Sequence, residues 1–303
     1  MRKMRVLFLG NGINRLSNDY SWEKLLEDLI KEVGKRDVIK FTREKPFTLL
    51  YEEIALRTMR FQNRKEIELK RIISELMEKL KHNKFHKKFL DIGVKHILTT
   101  NYDYNFERVY KNTNGEKKNL LTETKYNMFR RRKCGNKYIW HIHGEVEVSN
   151  SLTLGYEHYV GYIQKMRNYL TSGIPKIKIS SPIFSSKSKS SINTLEEHDI
   201  YSWVDLFLGC DVHIIGFSFD YTEIDLWWLT IYKERLRFKD KDQDIGKTVL
   251  HYFRNPEKKE GPIEEAKLSL LESYGVEIEK YDLRESNYNE AYDEVINYFQ
   301  NFR

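Results

Sequence analysis

The stretch "MRVLFLGNGINRLSNDYSWEKLLEDLIKEV", Met4 to Val33, carries three patterns in succession. Met4–Leu9 is an apolar run suited to a buried strand, and Gly10, Asn11 and Gly12 form a turn. Trp22, Leu25, Leu26, Leu29 and Ile30 then recur at the spacing of an amphipathic helix. Strand, glycine turn and helix is the order in which α/β folds build nucleotide sites, because turn N–H groups and a helix N-terminus favour phosphate. Taken alone, "GNGIN" is as compatible with an ordinary tight turn, since Arg15 stands where the dinucleotide fingerprint has its third glycine.

Working outward, short runs rich in Val, Ile and Leu recur at Val94–Thr99, Tyr138–Ile142, Val212–Ile215, Thr248–Tyr252 and Val276–Tyr281, alternating with longer helical patterns. That alternation predicts an α/β fold with a Rossmann-like doubly wound parallel sheet. The first two runs are separated by far more chain than one crossover needs. The interval reads mostly as helix from Pro46 to Leu90, so an inserted helical layer is expected over about 36–92. A second irregular stretch, Thr171–Asn193, is rich in Ser with Gly and Pro. It reads as a surface excursion, with a lid or partner-binding loop as the sharper alternative. The tail reads as completion of the sheet, ending in a helix near Tyr288–Phe302.

The chain has 303 residues, 40% hydrophobic and 14% aromatic. That can bury a sizeable core, and a single domain over residues 1–303 is expected. No window approaches the roughly 18 apolar residues of a membrane span, and the first residues have no signal-peptide pattern, so a soluble, cytoplasmic protein is expected. Two cysteines, Cys134 and Cys210, stand far apart with no metal-ligand spacing around them, which supports neither a disulfide framework nor a structural zinc site. The formal charge is +7, but 52 basic residues are interleaved with 45 acidic ones, the pattern of a solvated surface rather than a nucleic-acid groove. Arg130, Arg131, Arg132 and Lys133, and the "KSKS" of Lys187–Ser190, read as exposed loops.

Ligands of open α/β sheets bind beyond the carboxyl ends of the strands, and those ends are polar here. They offer Gly10, Asn11, Gly12 and Asn14; Asn101 and Asp103; His141, His143 and Glu145; and Gly216, Ser218, Asp220 and Asp225. His141 and His143 are spaced to share one side of a strand and could form half of a metal site, with the aspartates completing it. Against that, His141 has apolar neighbours and reads equally as a satisfied core residue, whereas His143 precedes a turn glycine and reads as presented to a pocket. In "GFSFDYTEIDLWW", Thr222 is placed to cap a helix whose Ile224, Trp227 and Trp228 would pack inward, while Gly216 and Ser218 suit ribose or phosphate.

Four segments in this order resemble the sirtuin superfamily, in particular its bacterial anti-phage branch. "FLGNGINRLSNDYSWEKLL" is similar to the nucleotide loop and first helix, "ILTTNYDYNFE" to the Thr-x-Asn-x-Asp loop, "WHIHGEV" to the His-Gly loop, and "IIGFSFDYTEIDLWW" to the Gly-x-Ser segment. The resemblance implies that Asn101 lies beside the nicotinamide ribose and that His143 is the base. It implies Gly10, Gly12 and Asn14 on the phosphate loop, Asp103 as the neighbouring aspartate, and Gly216 and Ser218 on the adenosine side.

The Cys-x-x-Cys pairs of the deacetylases' zinc module are missing from the sequence. The branch without that module implies NAD glycohydrolase activity: NAD as substrate, no metal, and ADP-ribose and nicotinamide as products. Such an effector would be gated by homo-oligomer formation or by a separately encoded sensor or ATPase-type partner. A non-catalytic sensor of NAD or ADP-ribose and a protein deacylase remain as alternatives. Direct nucleic-acid binding rests on charge alone.

Overall fold

The computed structural model describes residues 3–18, 20–34, 38–111, 116–118, 125–174, 181, 200–239, 245–257, 260–283 and 287–301. In chain order the elements are β1 (Arg5–Leu9), α1 (Gly12–Asn18), α2 (Trp22–Glu32), α3 (Phe47–Gln62), α4 (Glu66–Glu78), α5 (Lys84–Asp91), β2 (His96–Thr99) and α6 (Arg108–Lys111). They continue with β3 (Glu116–Lys118), β4 (Arg131–Cys134), β5 (Lys137–His141), a 3₁₀ segment (Val146–Ser151), α7 (Tyr156–Ser172), α8 (Trp203–Gly209) and β6 (Asp211–Ile215). The last are α9 (Ile224–Lys239), β7 (Thr248–Arg254), α10 (Pro262–Ser273), β8 (Val276–Asp282) and α11 (Tyr288–Asn301).

One sheet has the order β3-β4-β5-β2-β1-β6-β7-β8. From β5 to β8 every neighbouring pair is parallel. Numbered among themselves, those parallel strands run 3-2-1-4-5-6, the Rossmann order, which reverses direction at β1 and opens a crevice beyond its carboxyl end. The expected α/β fold is therefore present, with each apolar run lying on a strand of this sheet.

Alternation sorts the strand residues between two cores. Val6, Phe8, Leu98, Trp140, Val212 and Ile214 pack against α7, α8 and α9 on one face. On the other, Leu7, Leu9, Ile97, Ile139 and Ile215 meet α5 and α11 through Phe85, Phe89, Tyr292 and Phe299. A third core joins α2, α3 and α4 to the strand-end loops: Leu25, Leu29, Tyr51, Ile54, Leu69 and Ile73 enclose Tyr102, Tyr104, Val146 and Leu152. Of the helices read from Pro46 onward, α3 and α4 thus sit as a cap over the loops that follow β2 and β5, while α5 packs on the sheet itself. Buried Lys70 donates to the Leu152 carbonyl at 2.7 Å, and burial pushes its ammonium pKa down to about 7. Among the described residues no helix is long and apolar enough to cross a membrane.

The reading of Arg130–Lys133 as an exposed loop is corrected. Arg130, Arg131 and Arg132 are buried, and Arg131–Cys134 is strand β4, antiparallel to β5. Arg132 donates to Glu145 at 2.8 Å, to Glu147 at 2.5 Å and to the Tyr104 hydroxyl at 2.7 Å. Arg131 lies over the rings of Tyr138, Trp140 and Tyr201, 4.8 to 5.0 Å from their centroids. Carboxylates and aromatic faces distant in sequence make burial tolerable, and hydropathy along the chain carries no trace of them. Only Lys133 of the four is exposed, which removes the basis for nucleic-acid binding through this segment. Lys187–Ser190, and most of the Thr171–Asn193 stretch with its expected loop or lid, lie outside the described residues.

Removing the Arg132 cation would leave Glu145 buried beside a weaker partner, so Arg132→Met is expected to cost about 3–5 kcal/mol in urea unfolding. Acid sensitivity has a separate source. His213 and His251 share a 3.1 Å hydrogen bond, and burial pushes them down to about 4 and about 3 respectively, from an ordinary 6.5. A depressed histidine stabilises the fold fully above its unfolded pKa and loses that contribution as pH falls. The thermal midpoint should therefore drop between pH 6.5 and 5, above the usual carboxylate range; calorimetry at several pH values reads it.

Candidate active site

Leu9, Thr99, His141 and Ile215 pair across β5-β2-β1-β6 and form one level row. Two residues beyond that row on adjacent strands come Asn101 and His143. Asn101 is held from three sides. Its N–H donates to the Thr99 hydroxyl at 3.1 Å, its Nδ2 donates to the Gly10 carbonyl at 3.3 Å, and its own carbonyl accepts from His141 Nδ1 at 2.8 Å. Its Oδ1 is buried with no hydrogen-bond partner, an acceptor left unused in the crevice.

His141 is the satisfied interior residue. Its Nε2 meets Glu107 at 2.8 Å, so both ring nitrogens face acceptors. Burial opposes protonation, but the Glu107 charge and hydrogen bond prevail and hold the imidazole above its ordinary value. His143 takes a different partner: its Nε2 lies 2.8 Å from Asp225 Oδ2 at the start of α9. The ring stands edge-on to Tyr159, with centroids 5.3 Å apart. The turn behind it requires Gly144, whose φ is +110° and whose added Cβ would come within 2.5 Å of the Ser151 carbonyl oxygen. The two histidines thus serve separate carboxylates. Among the described residues no group of three or more His, Cys, Asp or Glu could hold a metal ion.

Asp103 and Asn14 meet each other. Asn14 Nδ2 donates to Asp103 Oδ2 at 2.7 Å, and Asn14 Oδ1 accepts from Asn105 at 3.1 Å and from His86 at 3.2 Å. His86 Nδ1 accepts the Asn83 backbone N–H, so its Nε2 carries the proton given to Asn14. Asp103 Oδ1 accepts the Asn105 N–H at 3.0 Å. Burial raises the Asp103 carboxyl above its ordinary value despite these donors. Both side chains therefore lock the β1 turn to the β2 loop.

Gly10, Gly12 and Gly216 form a backbone seam. Gly10 N–H donates to the Ile215 carbonyl at 3.0 Å and Gly12 N–H to the Gly216 carbonyl at 2.8 Å. A Cβ on Gly10 would lie 2.5 Å from the Gly216 carbonyl oxygen, and one on Gly216, at φ +63°, would strike the Tyr292 hydroxyl. Ser218 stands exposed at the rim. Asp220 organises the next turn in place of the expected Thr222 cap: its Oδ1 accepts the Thr222 N–H at 2.8 Å and the Thr222 hydroxyl at 2.7 Å. In α9, Trp227 is buried as expected, but Asp225, Leu226 and Leu229 go deeper than Ile224 or Trp228.

Residues 95–278, more than half of the chain, match the SIR2-like domain. The chain belongs to the SIR2-like domain family. Membership ties it to NAD-related function. No curated protein matches the sequence. The matched span begins at the foot of β2, and β1 with its glycine turn enters the SIR2-like site through pairing with β2 and β6. Sequence reasoning quoted Thr99 within the Thr-x-Asn-x-Asp loop but gave it no role, although it seats Asn101, and it did not single out Tyr292, which closes the glycine seam. It noted Asp225 as a strand-end acid and a possible metal ligand, not as a partner of His143 alone. Nothing local announces that Asp225 meets His143, because 82 residues separate them.

The seam is testable without a ligand. Gly216→Ala should destabilise the fold by at least the roughly 1–2 kcal/mol of a left-handed alanine. Tyr292→Phe in the same chain should recover part of the loss, and a double-mutant cycle in urea measures the coupling.

Proposed function

We propose that the chain is an NAD glycohydrolase that splits NAD and water into ADP-ribose, nicotinamide and a proton. The observation that carries the reading is the level pairing of β2 with β5, which sets an unpartnered Asn101 Oδ1 beside the loop of His143 at the crevice of a SIR2-like domain.

Cleavage of the nicotinamide–ribose bond leaves an oxocarbenium-like carbon, which needs an oriented nucleophile, a base and a favourable field. Asn101 supplies an acceptor that orients water or a ribose hydroxyl without adding charge. Its amide nitrogen and backbone are already fixed by Gly10 and His141, so little ordering remains to be done when substrate arrives. His143 takes the proton released as the new C–O bond forms. The Asp225 carboxyl lies against His143, where an acidic group favours a cationic ribose. Gly10, Gly12, Gly216 and Ser218 would receive the pyrophosphate and the adenosine half, with Asn14 and Asp103 shaping the turn.

Gating by self-association or by a separate partner belongs to the same proposal, because unrestrained NAD hydrolysis would harm the host. A NAD-depleting role in defence against phage is the physiological extension of it.

The test is nicotinamide release from NAD by the purified chain over a range of protein concentrations. Asn101→Ala and His143→Ala are each expected to lower release by at least about 10²-fold while calorimetry still detects NAD binding. A wild-type chain that binds NAD without turnover at every concentration would make it a sensor instead.

A further inference from the structure

Asp225 is fully buried and sits in the first turn of the sixteen-residue helix α9. Its Oδ2 meets His143 Nε2 at 2.8 Å, and its Oδ1 is buried with no hydrogen-bond partner. A helix N-terminus favours the ionised carboxyl, and an ionised carboxyl can only accept. His143 Nε2 must then carry the proton, which leaves Nδ1 as the basic nitrogen. Nδ1 has no hydrogen bond among the described residues. The arrangement is that of a carboxylate, an imidazole and an open reacting position, in which the acid fixes the tautomer and stabilises the imidazolium without taking its proton.

Glu223, two residues earlier, supports the assignment. Its Oε2 is also buried without a partner, and burial with the Asp225 and Asp220 charges pushes its carboxyl well above the ordinary range. Of the two neighbouring buried acids, Asp225 is the one hydrogen-bonded to the imidazole. The other groups facing this cluster are Tyr102 after β2 and Tyr159 and Tyr162 from α7. Burial raises Tyr102 and Tyr159 well above their ordinary value, so neither competes as a base.

We infer that Asp225 is a positioning residue of this site, holding His143 with Nε2–H toward the helix so that Nδ1 receives the proton of the attacking water or ribose hydroxyl. The inference rests on the glycohydrolase reading for its reaction but not for its geometry. As the new C–O bond forms, the proton passes to Nδ1, the imidazolium keeps its Nε2–H on Asp225, and the Nδ1 proton leaves to solvent after product forms.

The experiment pairs two measurements on the full chain. Long-range ¹⁵N–¹H spectra of histidine-labelled protein report the tautomer of His143, assigned by its disappearance in His143→Asn. Wild type is expected to show the Nε2–H form. Asp225→Asn, which can donate to Nε2, should shift it toward Nδ1–H at an unchanged fold by circular dichroism. In nicotinamide release, Asp225→Asn should lower kcat by about 10²–10⁴-fold with little change in KM, and Asp225→Glu should recover part of the rate with the Nε2–H form. An Asp225→Asn protein that keeps the wild-type tautomer, or that keeps wild-type kcat with the tautomer reversed, overturns the inference. If wild type releases no nicotinamide, the glycohydrolase reading fails and the spectra alone decide whether Asp225 sets the tautomer.

Discussion

Leu9, Thr99, His141 and Ile215 lie side by side across four parallel strands, and the position of every polar group in the crevice follows from that row. Parallel strands all point their carboxyl ends the same way, so residues far apart in the chain emerge together once the register is set. A slip of one residue in β5 would turn His141 outward and His143 away from Asn101. The row is fixed redundantly. Thr99 binds the Leu9 carbonyl, His141 binds the Asn101 carbonyl, and Gly12 binds the Gly216 carbonyl, each pinning one strand end to its neighbour.

A crevice lined by buried polar groups carries a desolvation cost that must be offset nearby. Asn14, Asp103, Asn105 and His86 offset it mutually, closing a network between the β1 turn, the β2 loop and α5. The helical layer helps from above, where Tyr102, Val146 and Leu152 enter the core of α2, α3 and α4 and Lys70 holds the Leu152 carbonyl. Among the buried polar atoms without a partner, Asn101 Oδ1, Asp225 Oδ1 and Glu223 Oε2 belong to the strand-end loops and the start of α9. In a well-satisfied interior such exceptions mark where a ligand or a reaction is accommodated.

The electrostatic plan divides the crevice. The side-chain-free glycine seam lets a phosphate approach the backbone closely, while Asp225 at the start of α9 suits a positive centre. A substrate with a pyrophosphate at one end and a cationic ring on ribose at the other fits that polarity. The buried cations of β4 belong to a different arrangement: Arg132 neutralises Glu145 and Glu147, and Arg131 is shielded by aromatic rings. They support the β5 loop from behind.

The sequence by itself determined the apolar runs, their alternation with helices, and therefore the doubly wound sheet, because strand periodicity and burial are local properties. It also determined which residues stand at the strand ends, and so Asn101, His143, Gly10, Gly12 and Gly216 could be named from the chain alone. Strand β4 escaped because Arg131, Arg132 and Lys133 have no apolar signature, and the burial of the two arginines depends on partners elsewhere in the chain. Likewise only the tertiary structure decided that Asn14 and Asp103 bind each other, that His141 serves Glu107, and that His143 turns to Asp225. A side chain's hydrogen-bond partner is chosen by proximity in space, and periodicity along the chain holds no record of that choice.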